Sequence, residues 1–119
     1  MANYKLVHSE PAPRVELHEA LGLTGAEVSI NTVPPNGGVP FVHVHTNNEE
    51  LYIVLEGKGE TLPIQAGDSF RIDPAGKRAI RAAPDSSLKY ICIQTKAHSL
   101  GGFTMTDAKL VDDKAPWMK

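Results

Sequence analysis

A chain of 119 residues with 41% hydrophobic content fits one domain, 1–119, with an ordinary core. The net charge of −2, with Lys and Arg scattered rather than clustered, excludes the electrostatic footprint of a nucleic-acid binder or of a protein held to anionic membranes. No stretch reaches the ~18 apolar residues of a membrane span and the N-terminus lacks a basic segment followed by an apolar run, so the expectation is a cytoplasmic protein.

Residues 1–13, with Pro11 and Pro13, read as an extended arm with His8 at the surface. From Arg14 to Gly22, Val15 and Leu17 alternate like a strand, yet Glu16 to Leu21 before Gly22 has the form of one or two helical turns; the pattern favours a short helix with His18 in solvent. Ala26 to Val33 alternates apolar residues with Glu27, Ser29 and Asn31, which predicts a half-buried strand. Pro34-Pro35-Asn36-Gly37-Gly38 closes it in a turn.

The stretch from Gly37 to Gly57 carries the chemistry. Read as strand, Phe41 to His45 sends His43 and His45 to one face and Val42 and Val44 to the other. A polar break at Thr46 to Glu49 predicts a turn, and Leu51 to Leu55 a second strand on which Glu50, Tyr52 and Val54 share a face. Pairing of the two strands brings Glu50 level with the histidines. Two imidazoles and a carboxylate form a facial set for a divalent metal: iron, manganese, nickel or zinc. A half-exposed polar face is the plainer explanation of His-x-His in a strand, but a carboxylate at short range within flanks suited to burial favours the metal. Parity makes Glu49 the weaker candidate ligand.

Lys58 to Ala66, with Pro63, has room for two short strand stubs around a turn. Asp68 to Ile72 reads as strand, Asp73-Pro74-Ala75-Gly76 as turn, and Lys77 to Ala82 as a returning strand with Ala79 and Arg81 on one face. Leu88 to Thr95 is the last clear strand, with Tyr90, Cys92 and Gln94 on one face; Cys92, the single cysteine, reads as a buried thiol. Beyond it come a loop marked by Gly101 and Gly102, a strand or helical turn between Thr104 and Val111, and a charged tail with Trp117.

These residues resemble the cupins, whose first motif is G-x5-H-x-H-x3,4-E-x6-G. Gly37, His43, His45, Glu50 and Gly57 fill every defined position. The second motif, G-x5-P-x-G-x2-H-x3-N, is answered by Gly67, Pro74 and Gly76, with six residues rather than five before Pro74 and with Ala79 where the pattern places a third histidine. The resemblance covers roughly Thr32 to Gln94. It implies an all-β fold, a single antiparallel β-barrel or jelly roll with minor helix, and His43, His45 and Glu50 as metal ligands at its mouth. Tyr52 and Ala79 then line the pocket. Arg81, sharing the face of Ala79, becomes a candidate for binding an anionic substrate, with a solvent-facing arginine as the alternative.

The functional expectation is a metal-binding small cupin. One form of it is a metal-dependent enzyme, dioxygenase-like, acting on a small molecule; the alternative is a non-catalytic small-ligand-binding or sensor cupin, which the Ala79 departure favours. A sugar-type isomerase or epimerase ranks last, since no acid/base pair is visible. The expected assembly is a homodimer, with the N-terminal arm and Trp117 as candidate contacts.

Overall fold

The computed structural model describes residues 3–60 and 62–118, so Met1 and Ala2 of the expected arm lie outside the described residues. Five strands form the frame: β1 (Arg14–Glu16), β2 (Glu27–Val33), β3 (Asn48–Gly57), β4 (Ser69–Ile72) and β5 (Leu88–Lys96). They make one antiparallel sheet in the order β1-β2-β5-β3-β4. Helix is minor: a single turn α1 (His18–Leu21), ended by Gly22 in the left-handed region, and a 3-10 turn at Thr104–Thr106. The segment with two readings is therefore both, a three-residue strand and then one helical turn. Among the described residues no helix is long and apolar enough to cross a membrane.

Strand β3 shows why the sheet forms. Its inward residues Glu50, Tyr52 and Val54 are buried while Leu51 and Leu55 stand out, the period of two that its sequence announces. The register with β5 slips between Val54 and Glu56 in a bulge, which ends at Gly57. Gly57 has φ of 85°, and a β-carbon there would lie 1.7 Å from the Ser87 carbonyl oxygen, so only glycine fits. Just beyond, Leu88 and Val54 are the largest fully buried side chains, joined by Ile64 and Ala82, with Val33, Phe70, Ile80 and Tyr90 packed against them. Burial of a side chain like Leu88 contributes about 1.5–3 kcal/mol.

A second layer covers the inward face, giving a jelly-roll-like fold. It consists of short segments tied by isolated bridges, Gly38 with Arg81, His43 with Arg78, Lys58 with Gln65 and Gly59 with Ala82. Two expectations are corrected here. Phe41 to His45 is not a regular strand paired with β3; the His43 amide donates to the Arg78 carbonyl and the His45 amide to the Pro74 carbonyl. Lys77 to Ala82 is likewise no regular strand, so alternation does not govern which of its side chains turn inward. Strand β3 also begins earlier than expected, at Asn48, because Asn48 and Glu49 already pair with Lys96 and Thr95.

Both ends of the chain lie outside the core, the N-terminal arm sharing a cleft with Leu17, Leu21 and Ile30. The radius of gyration is 17.3 Å, against about 13–14 Å for a compact domain of this length. Tyr4, Leu6, Leu110, Val111 and Trp117 are exposed along them.

Candidate metal centre

Three side chains from two segments converge. One donor atom each from His43, His45 and Glu50 lies within 4.8 Å of the others. The rings of His43 and His45 are 5.2 Å apart and nearly perpendicular, and His45 Nε2 sits 3.3 Å from Glu50 Oε2. Glu49, its neighbour on β3, faces the opposite way into a separate cleft with Arg71, Thr95 and His98, as parity requires.

Glu50 is 3% exposed, and a buried carboxylate persists only when it is paired and hydrogen-bonded. Its Oε1 accepts from Tyr52 Oη at 2.8 Å and from Arg78 Nη1 at 2.8 Å; its Oε2 accepts from the Cys92 thiol at 3.3 Å. Burial, the largest single influence, pushes the Glu50 carboxyl up, but the bonds from Tyr52, Cys92 and Arg78 and the charge of His45 outweigh it and hold the group below its ordinary value. Burial and the Glu50 charge push the Cys92 thiol up to about 12, and burial raises the Tyr52 phenol beyond the range where it ionises. Both remain protonated donors at neutral pH.

Arg78 fastens this carboxylate to the turn after β4. Its Nε donates to the Gly76 carbonyl at 3.0 Å, and its Nη2 to the carbonyls of Pro74, at 3.2 Å, and Asp73. The Pro74 carbonyl also accepts from the His45 amide, so the Pro-x-Gly turn organises two members of the site at once. No sequence signal singled out Arg78, because it falls in a segment without periodicity.

The donor set fits a divalent cation on an observation independent of motif. Among the described residues His43 Nδ1 and His45 Nε2 are buried without a hydrogen-bond partner, His45 Nε2 lying 3.3 Å from Glu50 Oε2 but not aligned for a bond. Unsatisfied buried nitrogens are costly, and a metal ion satisfies two at once.

The three residues open on a cavity of about 260 Å³ between the sheet and its cover. Tyr52 lines it, stacked on Phe70 with ring centroids 4.9 Å apart, and so does Ala79. Arg81 does not: it is exposed, and its guanidinium bonds Asn36 and Glu60 on the outer rim, so its expected place in the pocket is corrected. Irregular backbone between Lys77 and Ala82 breaks the shared face assumed for Ala79 and Arg81. The arginines that do line the cavity are Arg14 and Arg78.

The comparisons agree with this architecture. The chain is 52% identical to a cupin protein of Bacteroides fragilis whose crystal structure superposes with a TM-score of 0.88, covering 93% of this chain and 99% of that one. A predicted oxalate decarboxylase from Thermotoga maritima shares the fold at 23% identity, with a TM-score of 0.57 over 70% of this chain and 78% of the other. An uncharacterised protein of Methanocaldococcus jannaschii is 29% identical over 73 residues, 56% of this chain; the match spans 58% of that curated relative's length. No family model matches the chain.

Proposed function

The chain belongs to the cupin family, and from that premise we propose that it is a divalent-metal protein acting on a small molecule, with His43, His45 and Glu50 as the ligands. The observation that carries this reading is the pair of buried, unpartnered imidazole nitrogens beside a carboxylate. Three protein ligands leave coordination positions for water or substrate. A metal bound there supplies Lewis acidity and, as iron, the redox chemistry of a dioxygenase, the subclass placed first. The chain's own residues do the rest: Tyr52 Oη and Cys92 Sγ keep their protons and donate them in hydrogen bonds to Glu50, Arg78 fixes its orientation, and Val39, Phe41 and Ile80 give the cavity an apolar lining.

One observation favours the second reading, a non-catalytic ligand-binding or sensor cupin. Arg78 already neutralises Glu50, so the centre holds together without a metal. The isomerase or epimerase reading stays last, because among the described residues Glu50 is the one carboxylate lining the cavity and it is assigned to the metal, which leaves no carboxylate pair for acid/base work. For the assembly we propose a homodimer, supported by the apolar side chains exposed on the arm and tail.

Elemental analysis of protein purified without a nickel column tests the function. Stoichiometric iron supports the dioxygenase form, and absence of metal supports the binding module. His43→Ala is expected to weaken the affinity for added metal by at least about tenfold relative to wild type.

Ala79→His tests the vacant motif position. Residue 79 lines the cavity shared by His43 and His45, so an imidazole there is expected to raise metal affinity by about tenfold or more while closing a coordination position. In an enzyme that needs the opening, turnover falls as the metal tightens; titration of one metal into both chelated proteins reads the first half. Equal affinities would show that residue 79 does not face the histidines.

A further inference from the structure

The cavity has a second pole that the metal site does not use. Of the side chains lining it, Arg14 and Arg78 are cations and Glu50 is the anion. Arg78 is paired with Glu50, which leaves Arg14 as the charge with no counterpart inside the cavity. A divalent metal at the other pole adds further positive charge, so a ligand filling this space is drawn in as an anion.

Arg14 is held in place by residues buried for no evident packing reason. It lies opposite Asn31 across the β1–β2 ladder, and its Nη1 donates to Asn31 Oδ1 at 2.9 Å. Asn31 Nδ2 in turn donates to Ser29 Oγ at 3.0 Å. Asn31 and Ser29 are 5% and 3% exposed, on the inward face of β2 where a sheet ordinarily buries apolar side chains. Burying polar groups is unfavourable unless they are bonded, and here the chain of bonds ends on a guanidinium. A guanidinium has five N–H donors. Nε of Arg14 engages Glu16 Oε1 at 3.0 Å in an exposed pair, and among the described residues Nη2 has no hydrogen-bond partner. Exposed pairs of this kind are weak and readily exchanged.

We propose that Arg14, oriented by Asn31 and Ser29, anchors the carboxylate of a small organic anion whose apolar body lies against Val39, Phe41 and Tyr90. A guanidinium fork pairs with carboxylate and phosphate alike, so it is the apolar lining of Val39, Phe41 and Tyr90 that favours a carboxylate on an apolar body over free phosphate. Arg14 reaches Asn31 on β2, and two strand spacings, about 10 Å, separate β2 from β3, which carries Glu50, so the two poles face each other across the cavity. A cavity of about 260 Å³ accommodates an acid the size of benzoate and lies below the volume range of pockets for drug-sized ligands. The direction of the acid's far end rests on the metal reading given above; the anion pole itself does not.

The test is titration of the ¹⁵N-labelled protein, chelated and then metal-loaded, with benzoate, with the nearly isosteric neutral benzamide, and with inorganic phosphate. In chelated wild type, benzoate is expected to give saturable amide shifts around Asn31 and Tyr90, and benzamide to bind at least about tenfold more weakly. Arg14→Gln is expected to lose about tenfold in benzoate affinity with its metal titration unchanged. Glu16→Gln, which frees the fork, is expected to tighten it. Benzoate binding that depends on Arg14 in protein that takes up no metal supports the anion pole even though the metal reading has failed. Equal binding by Arg14→Gln and wild type, equal binding of benzamide and benzoate, or no saturable shift overturns the proposal. Phosphate binding in place of benzoate overturns the carboxylate assignment.

Discussion

Replacing Glu50 with alanine is expected to abolish metal binding and, independently, to destabilise the metal-free protein by about 3–5 kcal/mol, because a buried ion pair loses one partner and leaves the other charge unpaired. The stranded group is Arg78, whose side chain is 1% exposed. Its bonds to the carbonyls of Asp73, Pro74 and Gly76 survive, which places the loss toward the lower end of that range. His43→Ala weakens metal binding without the second effect, since no hydrogen-bond partner of His43 Nδ1 among the described residues is lost. Urea unfolding of the chelated proteins, followed by far-UV circular dichroism, separates the two. A Glu50→Ala variant as stable as wild type would show that the Arg78–Glu50 pair contributes nothing to the fold.

The other half of the pair gives a different signature. In the chelated wild type the Glu50 carboxyl lies below its ordinary value of 4.5. A group lowered on folding contributes stability that is fully present above its unfolded value and is lost as pH falls through the folded one. In Arg78→Met the cation is gone and burial, already the largest influence on Glu50, pushes the carboxyl up. A group raised on folding contributes below its unfolded value and loses that contribution as pH rises. The Glu50 contribution is therefore expected to rise with pH below ~4.5 and to stay level above it in wild type, and in Arg78→Met to be level below ~4.5 and to fall above it, with a loss of about 3–5 kcal/mol at neutral pH. Unfolding midpoints measured across the acid range check the sign. The double variant Glu50→Leu with Arg78→Met, which removes both charges, should recover most of the loss.

The site divides into a part that local spacing specifies and a part that depends on long-range register. Within β3, alternation alone separates Glu50 from Glu49 and puts Tyr52 beside Glu50, and the structure keeps that parity. The same reasoning failed for Arg81, because alternation holds only where a ladder enforces it and the backbone from Lys77 to Ala82 makes isolated bridges instead. No local pattern marks Arg78 or Arg14 for a related reason. Their partners, Glu50 and Asn31, lie 28 and 17 residues away and meet them only through the cover and through the β1–β2 pairing. Cys92 is intermediate: its burial was legible, but its bond to Glu50 depends on the β3–β5 register, which sets Tyr52 opposite Cys92.

The exposed tail decides which spectroscopic probe can follow this protein. Trp117 is the single indole of the chain and is 82% exposed, so its emission begins where that of an unfolded chain ends, red and solvent-quenched. Loss of the sheet would barely move it, and a fluorescence melt would look like no transition at all in a protein that had unfolded. The same insensitivity makes the indole a clean reporter for the tail: a second copy covering Trp117 would shift its emission to the blue as concentration rises, with no contribution from the core.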